Sequence, residues 1–228
     1  GAPRRIRRAP AAPSRRRLAF PGGPCHGDGE GNPSGAATVT HPDRLSVLMI
    51  HPRFAGGSFW NYDATCRLVG ARYPAPPLGL ITVAAMLPAH WEVTLIDRNV
   101  SETPADAIAA ADLVMVGGML PQQLDMFEVV RFCREAGVPV AVGGPDPTSS
   151  PHHYAEADFR ILGEVETVIH DFVAAFEAGA RSGDFEAEKF KADIETTPIP
   201  RFDLLDFSAY VQVNVQFSRG CPFLCEFC

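Results

Sequence analysis

Between residues 45 and 178 the chain alternates between short, mostly apolar runs and longer stretches whose apolar positions recur every three or four residues. The short runs, at 45–50 (LSVLMI), 92–96 (EVTLI), 113–116, 138–142 and 159–162, predict strands. The longer stretches predict helices over 78–87, 104–110, 122–136 and 165–178. Thr103 and Pro104 suit the N-cap and first position of the second helix. In the third, Leu124, Phe127, Val130 and Cys133 fall on one face at spacings of three, and Gly137 ends it.

Strands that are largely apolar on both faces and alternate with helices indicate a parallel sheet covered on both sides. Five such units predict an α/β fold: a flavodoxin-like, doubly wound domain with a five-stranded parallel sheet over residues 44–178. In such sheets a ligand sits at the carboxyl ends of the strands. Gly117-Gly118 and Gly143-Gly144 follow the third and fourth predicted strands, and Gly163 follows the fifth. Glycine there lets the backbone turn sharply and approach a ligand, although each pair alone is equally an ordinary strand-to-helix turn. Asp97 ends the second strand, where a dinucleotide fold binds ribose, but the first turn has no G-x-G-x-x-G and a nicotinamide site is not expected.

Residues 179–209 are polar, contain Pro198 and Pro200, and read as an interdomain linker. Residues 210–217 (YVQVNVQF) then alternate strictly. Val211, Val213, Val215 and Phe217 share one face, and Gln212, Asn214 and Gln216 the other, which predicts a further strand.

The formal charge of −7 is unevenly spread. Residues 1–44 carry eight Arg against three acids (Asp28, Glu30 and Asp43), leaving twelve basic and twenty-four acidic side chains in the rest. An acidic folded part argues against a phosphate-backbone binder, so no nucleic-acid partner is expected. Residues 1–43 show no period and are rich in Pro, Gly, Ala and Arg; they read as a disordered basic tail or as upstream sequence that is not native. No apolar run reaches the roughly eighteen residues that span a bilayer, so no transmembrane segment is expected.

Of six cysteines, Cys25, Cys66 and Cys133 are scattered, whereas Cys221, Cys225 and Cys228 form a C-x3-C-x2-C run. Crowding of this kind points to metal ligation in a reducing cytoplasm rather than to a disulfide framework. Three thiolates on one loop suit a 4Fe-4S cubane, leaving one iron open. A zinc site completed by a distant cysteine is the other reading, although no second C-x2-C is present.

Preceded by a predicted strand and Ser218-Arg219-Gly220, and with Phe227 before its last cysteine, this run resembles the opening of a radical S-adenosylmethionine (SAM) barrel. Residues 210–228 are then the start of a truncated barrel. Upstream, Gly143-Gly144-Pro145 with Thr148, Gly163-Glu164-Val165-Glu166, and Gly117-Gly118-Met119 with Gln122 resemble the cobalamin-binding domain that precedes many such barrels. Residues 198–206 (PIPRFDLLD) look like that family's interdomain stretch.

The resemblance implies a cobalamin-dependent radical SAM enzyme, most often a methyltransferase acting on an unactivated carbon of a small-molecule or lipid-like substrate. It resembles, more loosely, the subgroup that includes hopanoid methylases. Cys221, Cys225 and Cys228 would bind the cluster, whose open iron would chelate SAM. An external donor would supply the electron that releases a 5′-deoxyadenosyl radical. Phe227 would border the SAM site. Gly117, Gly118, Met119, Gly143, Gly144, Pro145, Thr148, Gly163, Glu164 and Glu166 would border cobalamin. The D-x-H-x-x-G motif that brings a histidine to cobalt is absent, which agrees with the branch that binds cobalamin without one, and His51 reads as a structural strand-end residue. Trp60 and Trp91 read as packing residues, and His152-His153 as a loop pair without an acid at ligand spacing. These residues on their own, without a complete barrel, are expected to be inactive. A non-enzymatic corrinoid-binding module with a structural metal at the cysteines is the alternative.

Overall fold

The computed structural model describes residues 44–220 and Phe223. The tail over 1–43, the three clustered cysteines and Phe227 lie outside the described residues. Six strands form one sheet: β1 (Leu45–His51), β2 (Trp91–Asp97), β3 (Leu113–Gly117), β4 (Val140–Gly143), β5 (Phe159–Leu162) and β6 (Gly183–Glu186). Their order is β2-β1-β3-β4-β5-β6, with every neighbouring pair parallel. The fold is thus a flavodoxin-like α/β sheet whose order reverses between β1 and β3, the position at which such folds bind ligands.

Successive side chains of a strand point to opposite faces, so each strand feeds two cores. Val47 and Met49 of β1 join Trp91, Leu113, Met115, Phe159 and Ile161 on one face. There α2 (Leu78–Met86) contributes Ala84, and α6 (Ile169–Glu177) contributes Ile169, Phe172, Val173 and Phe176. Leu48 and Ile50 join Val114, Val116, Val140 and Val142 on the other face, under α3 (Ala105–Ala109) and α4 (Gln123–Ala136). Two shorter helices, α1 (Asp63–Val69) and α5 (Pro145–Ser149), complete the fold. No described helix is long and apolar enough to cross a membrane.

The five expected strands are present, but the sheet has a sixth. Within the expected linker, β6 pairs with β5 through four residues. Its one large apolar side chain, Phe185, packs edge-on to Phe172, with ring centroids 5.5 Å apart. Nε and Nη2 of the Arg160 guanidinium each donate to Asp184 at 2.6 Å. Charge on an edge strand discourages further pairing, and it also hides the strand from a search for apolar runs.

Residues 210–217 do not form the expected strand. Beyond a single bridge between Tyr73 and Tyr210 the pairing stops. The facing stretch is Pro74-Ala75-Pro76-Pro77, in which three of four residues have no N–H to offer a ladder. Two bonds remain, Val211 N to Tyr73 O at 3.0 Å and Gln212 N to Pro74 O at 3.1 Å.

The buried face of α4 also differs from expectation. It is Met126, Val129, Val130 and Cys133, while Leu124 is exposed. A row at strict spacings of three drifts around a helix of 3.6 residues per turn; the 3-4 alternation 126, 129, 130, 133 does not.

Candidate cofactor site

The carboxyl ends of β1, β3, β4 and β5 open into one cavity of about 960 Å³. His51, Gly117, Gly143 and Gly163 border its floor. In register, Gly117 lies beside Gly143 across the β3–β4 pair, so both glycine pairs occupy the same edge of the sheet. A side chain at Gly117 would put its Cβ 3.3 Å from Gly143 O, and one at Gly143 would come 3.0 Å from Ile161 O. Gly144 has φ +91°, and a Cβ there would sit 3.1 Å from both N and O of Gly118. These close approaches keep the floor flat and made of backbone.

The walls come from elsewhere in the chain. Phe54, Trp60, Tyr62 and Tyr73 follow β1; Leu80 and Val83 come from α2; Gln212, Asn214, Gln216 and Arg219 come from the segment after the linker. Of the expected cofactor residues, Gly118, Met119, Pro145, Glu164 and Glu166 also line the cavity. Thr148 does not: its Oγ1 accepts from the Gly163 N–H at 2.9 Å and so holds the β5 turn. Trp91 is buried against Phe172 and Phe176, but Trp60 is partly exposed and borders the cavity rather than packing in the core.

A polar network under the floor escaped the sequence reading. His51 Nδ1 lies 3.1 Å from Asp97 Oδ1, and its Nε2 lies 2.9 Å from Gln122 Nε2. Gln122 also donates to Pro52 O at 2.6 Å, and its Oε1 accepts from Met119 N at 3.0 Å. The other oxygen of Asp97 accepts from the Tyr210 hydroxyl at 2.9 Å. Burial would push the Asp97 carboxyl up, but the hydrogen bond from His51, with further bonds from Asn99, holds it below its ordinary range. Burial, with the charge of Asp97, pushes the Tyr210 phenol up, so it remains a donor. Asp97 is therefore committed to protein groups, not to a ribose. The partners lie far apart in sequence, and only β1's place in the sheet brings them together.

The rim carries the charge. Glu166 pairs with Arg219, and Arg219 Nη1 lies 3.8 Å from Glu164 Oε1. Burial would raise Glu166, but the hydrogen bond from Arg219 lowers it below the usual carboxylate range. One oxygen of each carboxylate, Glu164 Oε2 and Glu166 Oε2, is buried without a partner among the described residues. Buried acceptors are normally satisfied, so each calls for a donor. The described lining otherwise holds one formal cation, Arg219, amid aromatic, aliphatic and amide groups. Such a cavity suits a flat, largely apolar ring carrying neutral N–H donors. Cobalamin, a corrin bearing primary carboxamides, has that chemistry, and the residues present fit it.

Comparison with known proteins agrees. Residues 65–173 match the B12 binding domain family. An uncharacterized methyltransferase of Synechocystis sp. is 47% identical over 186 residues, covering 81% of this chain and 34% of the relative. The hopanoid C-2 methylase of Rhodopseudomonas palustris is 35% identical over 188 residues, covering 80% of this chain and 35% of the relative. An anaerobic magnesium-protoporphyrin IX monomethyl ester cyclase of Synechocystis sp. is 28% identical over 197 residues, covering 70% and 40%. The chain thus spans about a third of the length of the first two relatives.

Proposed function

We propose, from the match of residues 65–173 to the B12 binding domain family, that this chain is the cofactor-holding part of a cobalamin-dependent radical SAM methyltransferase. The observation that carries this reading is the single cavity at the β1/β3 switch point. Its floor is glycine backbone, and its opposite wall, Gln212 to Arg219, leads directly into the Cys221, Cys225, Cys228 run. One wall thus belongs to the corrin domain and the other to the approach to a cluster motif. The naming of one of these relatives as a methyltransferase and of another as a hopanoid methylase supports methyl transfer and a lipid-like substrate.

When bound, cobalamin supplies a redox-active metal able to carry a methyl group. The residues of this chain do the rest. Gly117, Gly118, Gly143 and Gly144 let the ring approach the strand ends. Met119 and Pro145 would border it, and the free oxygens of Glu164 and Glu166 would accept from its carboxamides. Phe54, Tyr73 and Leu80 exclude water. The domain division follows the same reading with one change: the corrin domain runs from 44 through β6, which ends at Glu186, the linker continues to 209, and the barrel begins at 210. The three cysteines would hold a 4Fe-4S cluster able to bind SAM, Phe227 would border that site, and an external donor would supply the electron.

The test is titration of the purified chain with hydroxocobalamin. Saturable binding at one equivalent, weakened by Gly144→Ala, is expected; absence of binding overturns the reading. For the cluster, a protein joining these residues to a complete barrel should form 5′-deoxyadenosine from SAM and lose that activity with Cys225→Ala. Iron retained without SAM cleavage would favour a corrinoid-binding module with a structural metal.

A further inference from the structure

The segment from 210 to 219 borders the cavity and makes few backbone bonds. It is held at one end by the Tyr210 hydroxyl on Asp97 and by the bonds of Val211 and Gln212 to Tyr73 and Pro74. It is held at the other by Arg219 on Glu166, a pair whose side chains are 23% and 8% exposed. Between these anchors Gln212, Asn214 and Gln216 border the cavity beside Val211, with Gln212 and Gln216 still open to solvent, while Val213, Val215 and Phe217 are exposed and do not border it. All three amides of the row thus border the cavity and three of its four apolar side chains do not, against the ordinary preference for apolar groups inside.

Carboxamides facing a cavity suit a ligand that both donates and accepts, which is what the corrin's own carboxamides do. We propose that Arg219 is a positioning residue: by pairing with Glu166 it holds Gln212, Asn214 and Gln216 in place as a second cobalamin-binding wall, outside the residues that match the B12 binding domain. This rests on the cobalamin reading above. Glu166 has two tasks, one oxygen fixing the guanidinium and the other left for a ligand N–H. A partly buried, hydrogen-bonded ion pair is stronger than an exposed one, and without it this bond-poor segment is anchored only at its Tyr210–Gln212 end. Lysine cannot replace the guanidinium fully, because a point charge lacks the fork that reaches Glu164 and Glu166 together.

The experiment measures release of hydroxocobalamin from the purified chain by absorbance after trapping the free cofactor, alongside melting of the cofactor-free protein. Arg219→Gln and Glu166→Gln should each speed release roughly tenfold or more, the effect of breaking a buried charge pair. The double variant should release no faster than the faster single one, because both changes remove one interaction. Arg219→Lys should fall between wild type and Arg219→Gln, and the exchange Arg219→Glu with Glu166→Arg should recover part of the loss. The cofactor-free variants should melt lower through loss of the pair, but without following the release rates across the series. Release from Arg219→Gln at the wild-type rate, independent effects in the double variant, or melting that falls in step with release would each overturn the proposal. A wild-type chain that binds no cobalamin would instead remove the reading on which it rests.

Discussion

Gln122 Nε2 sits 2.9 Å from His51 Nε2 and donates to it, while Asp97 Oδ1 faces the Nδ1 side at 3.1 Å. The carboxylate selects the tautomer protonated at Nδ1, so the lone pair at Nε2 is occupied by the amide. Among the described residues lining the cavity His51 is the one histidine, at the carboxyl end of β1, and both its nitrogens are committed.

A protein imidazole should therefore be missing from cobalt. In the Co(II) state of the cobalamin-bound chain, isotopic nitrogen labelling of histidine should leave the hyperfine pattern in the EPR spectrum unchanged. A pattern that shifts with the label would place a histidine on the metal and contradict this assignment. Gln122→Leu, which frees Nε2, is the variant in which a label-dependent pattern would first emerge.

Backbone geometry predicts a contrast between two glycines. At Gly144, φ is +91° and a Cβ would meet Gly118 at 3.1 Å; at Gly57, φ is +81° but nothing lies within 4 Å. Both positions strain an alanine, and only the first adds a clash with backbone. Gly144→Ala should cost about 1–3 kcal/mol of stability, and Gly57→Ala clearly less. Denaturant melts of the two variants measure the difference, and equal losses would show that the contact at Gly118 is readily relieved.

How legible this fold was depends on what each element buries. Strands between two helical layers are apolar on both faces, so β1, β3, β4 and β5 stand out in sequence. The edge strand β6 has one neighbour and one large apolar residue, Phe185, and leaves no such mark. The glycine floor was legible because glycine at a strand end has a conformational meaning. The His51–Asp97–Gln122–Tyr210 network was not, because its members are 46 to 113 positions apart where they touch across elements and each is ordinary alone. The row 210–217 was legible as a period but not as a strand. Periodicity shows which residues share a face; pairing depends on a partner able to offer N–H groups, and Pro74, Pro76 and Pro77 cannot.

Acid should act through Asp97. Its carboxyl is held below its ordinary value in the folded protein, so its contribution to stability is complete above the unfolded value of about 3.9 and is lost as pH falls through the lower folded value. Asp97→Asn removes the charge-assisted bonds from His51, Asn99 and Tyr210, and should cost about 2 kcal/mol at neutral pH. That deficit should shrink below about pH 4, where the wild-type carboxylate is itself being neutralised. Urea melts of both proteins across this range give the comparison; parallel curves would mean that Asp97 keeps the same proton in both states.

The last prediction separates the cysteines by burial. Cys66 and Cys133 are buried, Cys133 completely. Burial, with the nearby charge of Asp158, pushes the Cys133 thiol up to about 12, and burial with the charge of Asp63 raises Cys66. Iron and alkylating agents both require thiolate, which neither residue offers near neutral pH. In the folded chain at pH 8, iodoacetamide should leave Cys133 unmodified, and Cys66 should react slowly; both should react at once in denaturant. After reconstitution with iron and sulfide, Cys66→Ala and Cys133→Ala should each keep the wild-type iron content. Cys221→Ala, Cys225→Ala and Cys228→Ala should each lose most of it, since a cubane deprived of one of three thiolates is poorly held. Peptide mass mapping after alkylation, with iron analysis of the five variants, decides the matter. Iron lost from Cys133→Ala would mean that the buried thiol, and not the C-x3-C-x2-C run alone, takes part in binding the metal.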